Sequence, residues 1–240
     1  MNMPDKVTLT IDGRSIEAPA GTTILAAAEN ANIYIPHLCH NAELKPYGAC
    51  RLCVVDIKHK NRTRQVASCI YEVAEGLEVH TDTERVQRVR QLVVELLLAR
   101  NPKHAAIREI ADRVNVSQSR FEKDIKGCIL CGMCIRVCRE VVGVDAIGYK
   151  SRGFTREIAT PFDQAPPDCI ACGSCAYVCP VDFIQFTEKN GVRTIWNTDF
   201  PMQKCKKCGR YIAPVKQLEH FQKTLNLPED QFDTCIHCRK

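Results

Sequence analysis

The sequence predicts an α+β chain of four consecutive pieces, and three observations carry that reading. Apolar and polar residues alternate at the start, a helical apolar period begins near residue 83, and cysteines gathered in C-x-x-C groups fill the remainder. The pieces are expected at 1–81 (β-rich), 82–126 (helical linker), 127–198 (a repeated cysteine unit) and 199–240 (a small four-cysteine module). A length of 240 residues suits two small domains rather than one.

Residues 6–11 alternate as a strand, Asp12-Gly13 is a tight-turn signal, and 14–18 form the returning strand. Thr22 or Thr23 can N-cap a short helix through Ala28, because a threonine hydroxyl satisfies an unpaired amide of the first turn. A cysteine-bearing loop then runs into a strand at 52–57, and KHKNRTR at 58–64 is expected at a hairpin tip. Further strands are expected at 65–70 and 77–80. Residues 83–100 form a helix stopped by Asn101-Pro102, and its stripe of Val89, Leu92, Val93, Leu96 and Leu97 predicts the packed face. A more polar helix follows at 104–113, a glycine-punctuated, partly β segment at 139–168, and a last helix at 217–225.

Sixteen cysteines would suggest disulfides in a small secreted protein. MNMPDKVTLT holds no apolar signal-peptide segment, so a reducing, cytoplasmic setting is expected. The apolar run at 92–99 is broken by Glu95 and is too short to span a bilayer. A net charge of +5 permits docking to an acidic partner without indicating nucleic acid. KHKNRTR lacks the interleaved aromatics of a nucleic-acid contact and reads as a solvated loop. No G-x-G-x-x-G, P-loop or nucleophile elbow occurs, so no nucleotide, flavin or catalytic site is visible.

The strongest motif is a doubled run. Cys128, Cys131, Cys134 and Cys138 are spaced C-x2-C-x2-C-x3-C, and Cys169, Cys172, Cys175 and Cys179 repeat it before Pro180. That is the bacterial ferredoxin spacing for two [4Fe–4S] clusters, in which the fourth cysteine of each run ligates the other cluster. One cluster is therefore assigned to Cys128, Cys131, Cys134 and Cys179, and the other to Cys169, Cys172, Cys175 and Cys138. The small or apolar residues Ile129, Leu130, Gly132, Ile170, Ala171 and Gly173 would shield them from water. Arg139 follows Cys138 where Pro180 follows Cys179. A cation there would favour the reduced, more negative cluster, unless it is solvated or bridged to Glu140 or Asp145.

Upstream, Cys39, Cys50, Cys53 and Cys69 are spaced C-x10-C-x2-C-x15-C. Four thiolates suit a [2Fe–2S] centre, whereas zinc rarely needs a ten-residue ligand gap. Gly48 and Ala49 leave room for amides near the cluster sulfurs, and His37 and His40 flank Cys39. Near the C-terminus, Cys205, Cys208, Cys235 and Cys238 give C-x2-C-x26-C-x2-C. Two knuckles suit one structural Zn2+, and the same thiolates would also hold a third [4Fe–4S] cluster. His237 is a lesser candidate ligand, and Lys204, Lys206 and Lys207 suit either a docking surface or a solvated turn.

The stretch GTTILAAAENANIYIPHLCHNAELKPYGACRLCVVDI resembles the N-terminal domain of the G-type iron–sulfur subunit of bacterial NADH dehydrogenase. It equally resembles the diaphorase iron–sulfur subunit of NAD-linked hydrogenases and formate dehydrogenases. EGLEVHTDTERV and CIRVCREVVGVDAIGYKSRGF continue the likeness, which covers about residues 6–187. It implies a β-grasp fold at 5–81 and a flavin- and NAD(P)-binding partner subunit. It also implies electron relay to a hydrogenase, a formate dehydrogenase or another flavoenzyme, with soluble ferredoxin and electron bifurcation as further expectations. The chain departs from the family at one point. The family places a His and three cysteines after the helix at 83–100, but residues 101–127 contain His104 and no cysteine. That cluster is expected to be missing, which leaves His104 an ordinary surface residue. A stand-alone multicluster ferredoxin, and a scaffold whose clusters are only structural, are the competing readings.

Overall fold

The computed structural model describes residues 5–60 and 62–239. It divides into two compact units, 1–132 and 133–240.

The first unit is built on a five-stranded sheet. Strands β1 (Lys6–Ile11), β2 (Arg14–Pro19), β3 (Val54–His59), β4 (Arg62–Ala67) and β5 (Leu77–His80) lie in the order β2-β1-β5-β3-β4. β1 runs parallel to β5, and the other pairings are antiparallel. Alternation decides which side chains are buried: Leu9 and Ile11 from β1, Leu77 and Val79 from β5. Asp12 and Gly13 take the positive φ values a two-residue hairpin demands, 49° and 78°. The Asp12 carboxylate accepts bonds from Thr81 N (2.7 Å) and Oγ1 (2.6 Å), which ties that turn to the residue after β5. Helix α1 (Ile24–Asn30) starts at Thr23, whose hydroxyl accepts from Ala26 N, and it lays Ile24, Leu25, Ala27 and Ala28 into the core. This is the β-grasp arrangement that the resemblance implies. The hairpin after His59 returns at Arg62, and position 61 lies outside the described residues.

Helix α2 (Glu84–Arg100) is capped by Thr83 and followed by α3 (Ala105–Arg113). The packed face of α2 shares Leu97 with the apolar stripe of the sequence and otherwise differs from it, with Val89 and Val93 only half-buried. Leu92 and Leu96 are exposed, and the buried side chains are Val86, Arg90, Val94, Leu97, Leu98 and Ala99. An arginine occupies the middle of the true core stripe, so an apolar period locks onto the neighbouring face. His104 has a defined local role: its Nδ1 accepts from Ala106 N at 3.3 Å and N-caps α3.

The second unit begins with a short helix, α4 (Met133–Arg136), continued by a wider π-type turn at Val137–Val142 that carries Cys138. Strands β6 (Gly148–Lys150) and β7 (Glu157–Ala159) form a small ribbon, and α5 (Ser174–Tyr177) carries Cys175. A four-stranded antiparallel sheet follows, from β8 (Phe186–Lys189), β9 (Val192–Ile195), β10 (Thr198–Lys204) and β11 (Tyr211–Pro214), in the order β11-β10-β9-β8. β10 runs through residues 198–199, so one sheet joins the repeated cysteine unit to the C-terminal module. Helix α6 (Val215–Leu225) packs on this sheet and buries Leu218. No helix among the described residues is long and apolar enough to cross a membrane.

Candidate metal centres

None of the sixteen cysteines forms a disulfide. In the β-grasp domain Cys39, Cys50, Cys53 and Cys69 are all buried. The loop before β3 is shaped for them: Gly48 and Arg51 take positive φ, and Cys50 N donates to Cys39 Sγ at 3.3 Å. A Cβ at Gly48 would stand 3.2 Å from the Ile70 side chain. A hydrogen bond with Cys39, then burial, pushes Cys50 up, and a hydrogen bond with Cys53, then burial, pushes Cys69 up. Cys53 is lowered to about 6, first by Cys69 and further by the Cys69 amide and the Ser68 hydroxyl, against burial. Four buried sulfurs with amide donors, one of them already biased to thiolate, fit the demands of a [2Fe–2S] group.

The repeated run also repeats in its backbone. Leu130 and Ala171 stand at equivalent places and take φ of 55° and 56°; Gly132 and Gly173 follow at 73° and 79°. The left-handed conformation costs an L-residue about 1–2 kcal/mol. Here it turns each amide onto a sulfur, Leu130 N to Cys128 Sγ and Ala171 N to Cys169 Sγ, both at 3.4 Å. In the second unit Cys138 from the first run lines one cavity with Cys169, Cys172 and Cys175 from the second. Val142, Ile147, Ile170, Ile195 and Trp196 complete its apolar wall. Burial pushes Cys138 and Cys169 up, with the neighbouring Cys172 adding to both, and it pushes Cys175 up to about 12. Ala146 N donates to Cys138 Sγ at 3.3 Å, and Trp196, which lines the cavity with Cys175, acts against burial to favour its thiolate. Of the other predicted set, Cys128 and Cys131 close the first unit, and Cys134 and Cys179 belong to the second. Phe183 N donates to Cys179 Sγ at 3.2 Å.

Sequence reasoning missed Trp196. It sits with Asn197 in a β9–β10 turn where both residues have φ of 54°. The signal was a lone tryptophan at a turn, since an indole N–H drawn out of water seeks an acceptor. Arg139 takes the bridged form rather than the isolated one: its Nε lies 3.0 Å from Asp145 Oδ2, so a carboxylate offsets its charge.

At the C-terminus the sulfurs of Cys205, Cys208, Cys235 and Cys238 all lie within 4.8 Å of one another, with Cys208 and Cys235 3.7 Å apart. Gly209, at φ 72°, closes the first knuckle by donating to Cys205 O. Backbone amides, Cys235 N first and then Cys208 N, hold Cys205 at about 6. Arg210 Nε donates to Cys208 Sγ at 3.5 Å. His237 stands outside this group. Lys206 pairs with Asp233 at 2.6 Å, Lys207 bonds Cys238 O, and Lys204 lies over the Tyr211 ring, so all three are engaged around the knuckles.

Comparisons with known proteins identify the domain type of two stretches of the chain. Residues 4–84 match the 2Fe-2S iron-sulfur cluster binding domain, and residues 166–185 match the 4Fe-4S binding domain. The chain is 32% identical over 230 residues to the second G-type subunit of the NADH-quinone oxidoreductase of Rhizobium meliloti, covering 85% of this chain and 27% of that protein. The chain is a relative of these G-type iron–sulfur subunits. It is 33% identical over 199 residues to the alpha subunit of the NADPH-Fe(3+) oxidoreductase of Geobacter sulfurreducens, covering 72% of this chain and 23% of that one. The HndD subunit of the NADP-reducing hydrogenase of Solidesulfovibrio fructosivorans is 31% identical over 206 residues, with 72% and 35% covered. The chain thus spans about a quarter to a third of the length of these curated relatives. A crystal structure of NAD+-reducing [NiFe]-hydrogenase in the H2-reduced state contains a similar chain. The TM-score is 0.63 at 29% identity, covering 73% of this chain and 85% of that one. Iron–sulfur domains of the two-iron and four-iron types are therefore present, on a fold shared with subunits of NAD(P)-linked oxidoreductases.

Proposed function

We propose that the chain is an electron-relay subunit carrying one [2Fe–2S] cluster, two [4Fe–4S] clusters and one Zn2+. Cys39, Cys50, Cys53 and Cys69 would hold the two-iron group. Cys128, Cys131, Cys134 and Cys179 would hold one four-iron group, and Cys169, Cys172, Cys175 and Cys138 the other. When bound, these groups supply reversible one-electron chemistry. The observation that carries the reading is the cavity in which Cys138 joins the three cysteines of the other run. It supports the crossed arrangement of a two-cluster ferredoxin. The residues do the rest: amides of Cys50, Leu130, Ala146, Ala171 and Phe183 donate to the candidate ligand sulfurs, and apolar side chains exclude water.

The C-terminal spacing favours a single ion. Tetrahedral zinc with Zn–S near 2.3 Å puts its sulfurs about 3.8 Å apart, whereas the four corners of an iron–sulfur cube hold their thiolates much further apart. The observed 3.7 Å between Cys208 and Cys235 matches the first case.

The relatives are subunits of NADH- and NADPH-linked oxidoreductases and hydrogenases, so a flavin- and NAD(P)-binding subunit is the proposed electron partner. A hydrogenase, formate dehydrogenase or other flavoenzyme subunit is the second partner, in a cytoplasmic complex. Metal content and EPR of the anaerobically purified, reduced protein test this. About ten iron and one zinc per chain, with three reversible signals, is the expected result. About fourteen iron without zinc would overturn the zinc assignment, and clusters that do not reduce reversibly would overturn the relay.

A further inference from the structure

We infer that Arg90 sets the reduction potential of the centre on Cys39, Cys50, Cys53 and Cys69, as a buried fixed cation behind the Cys53 segment. The inference rests on the reading of those thiols as a [2Fe–2S] site. Arg90 lies in the middle of the packed face of α2 and is only 5% exposed. Its Nε donates to Leu52 O at 3.2 Å and its Nη2 to Val54 O at 2.8 Å. These two carbonyls flank Cys53, so the guanidinium fork clamps the backbone on either side of a candidate ligand.

Both acceptors are neutral. No carboxylate among the described residues stands within ion-pair distance of Arg90. A buried cation without an ion-pair partner is costly, and two carbonyl bonds alone do not require one. Burial works against the charged form, and the charges that act the other way are led by Asp82 and then Cys53. A cluster on Cys53 would add a larger anion to the more distant charge of Asp82. Two ferric ions, two sulfides and four thiolates form a dianion, and one added electron makes it a trianion, with no bond broken and no proton moved. A fixed cation stabilises the trianion more than the dianion, so it raises the potential. Arginine suits the place because it stays charged when buried and bonds two carbonyls at once.

The test is an EPR-monitored redox titration of the full-length holoprotein and its variants, with the [4Fe–4S] signals as internal references. Arg90→Gln keeps donors and removes charge, and Arg90→Lys keeps charge and loses the fork. Arg90→Gln should lower the [2Fe–2S] midpoint by at least a tenfold change in the oxidised-to-reduced ratio at fixed poise, about 59 mV for one electron. Arg90→Lys should stay within about threefold of wild type, and the [4Fe–4S] midpoints should not move. Equal shifts in both variants, or a shift in neither, overturn the inference and leave Arg90 a structural clamp. Should Arg90→Gln fail to retain iron, Arg90→Lys still tests the role of charge: a midpoint lowered tenfold or more with the signal intact overturns it. A wild-type protein without any two-iron signal would remove the underlying reading instead, so the two failures are distinct.

Discussion

The two units bury their thiols in opposite ways. Of the twelve largest side chains that are essentially fully buried, eleven belong to the first unit, and Ile195 alone belongs to the second. In the β-grasp domain Cys53 and Cys69 join a core that the apolar side chains of the strands and α1 dominate. In the second unit the cysteines are themselves the cavity wall, and Ile195 lines it with them. A domain with so little apolar burial draws its stability from ligation, because metal binding free energy is folding free energy where no site preforms. The largest predicted effect follows from this difference. Stripping iron and zinc anaerobically should abolish amide protection in β8 to β11, read by hydrogen exchange and mass spectrometry. Strands β1, β3 and β5 should keep theirs. Structural zinc alone is worth about 10–16 kcal/mol in small modules. Simultaneous loss of protection in both units would break the comparison.

The next effect sharpens the comparison within the second unit. Cys138→Ser removes a thiol from the cavity that Cys169, Cys172 and Cys175 line. EPR of the reduced protein should show one [4Fe–4S] signal lost or converted and the [2Fe–2S] signal untouched. The damaged cluster should be the one that Cys172→Ser also damages. Different clusters lost in the two variants would overturn the crossed assignment.

Much of this was legible in the sequence, for reasons that differ by residue. The Asp12-Gly13 turn, the Thr23 cap and the four C-terminal cysteines were readable because each depends on local geometry or on cysteine spacing. The buried face of α2 was not, since Arg90 is polar by any scale and its burial depends on Leu52 and Val54, far away in sequence. His104 had to await the structure to be seen as a helix cap, because a cap depends on where the helix begins. The same holds for Trp196 in the cavity wall with Cys175, which requires the β9–β10 turn to be folded. The sheet running from β8 to β11 was hidden by a boundary drawn from cysteine grouping, while β10 carries the chain through it.

A core truncation in the first unit should behave in the ordinary way. Ile57 is fully buried on the inner strand β3, and substitution by alanine removes most of its side chain and leaves a cavity. Ile57→Ala should cost about 2–5 kcal/mol by denaturant unfolding of the β-grasp transition. The cost should be nearly the same with or without metal in the second unit. A cost that vanished on metal removal would mean the first core also depends on ligation.

The smallest effect is expected at Arg139, and its size tests what burial does to a charge. Sequence alone set this arginine beside Cys138 either as a cation that would raise a cluster potential or as a side chain solvated or bridged to Glu140 or Asp145. The structure pairs it with Asp145 at 3.0 Å, and both side chains are about half or more exposed. A paired, exposed charge is screened twice, by its partner and by solvent. Arg139→Gln should therefore move the [4Fe–4S] midpoints less than Arg90→Gln moves the [2Fe–2S] midpoint, and added salt should shrink what remains. Asp145→Asn should produce the larger shift of this pair, upward, because it frees the cation while removing a nearby anion. If Arg139→Gln instead lowered a midpoint as far as Arg90→Gln does, exposure would not separate the two arginines. The contrast between a buried cation with neutral partners and an exposed one in an ion pair would then fail.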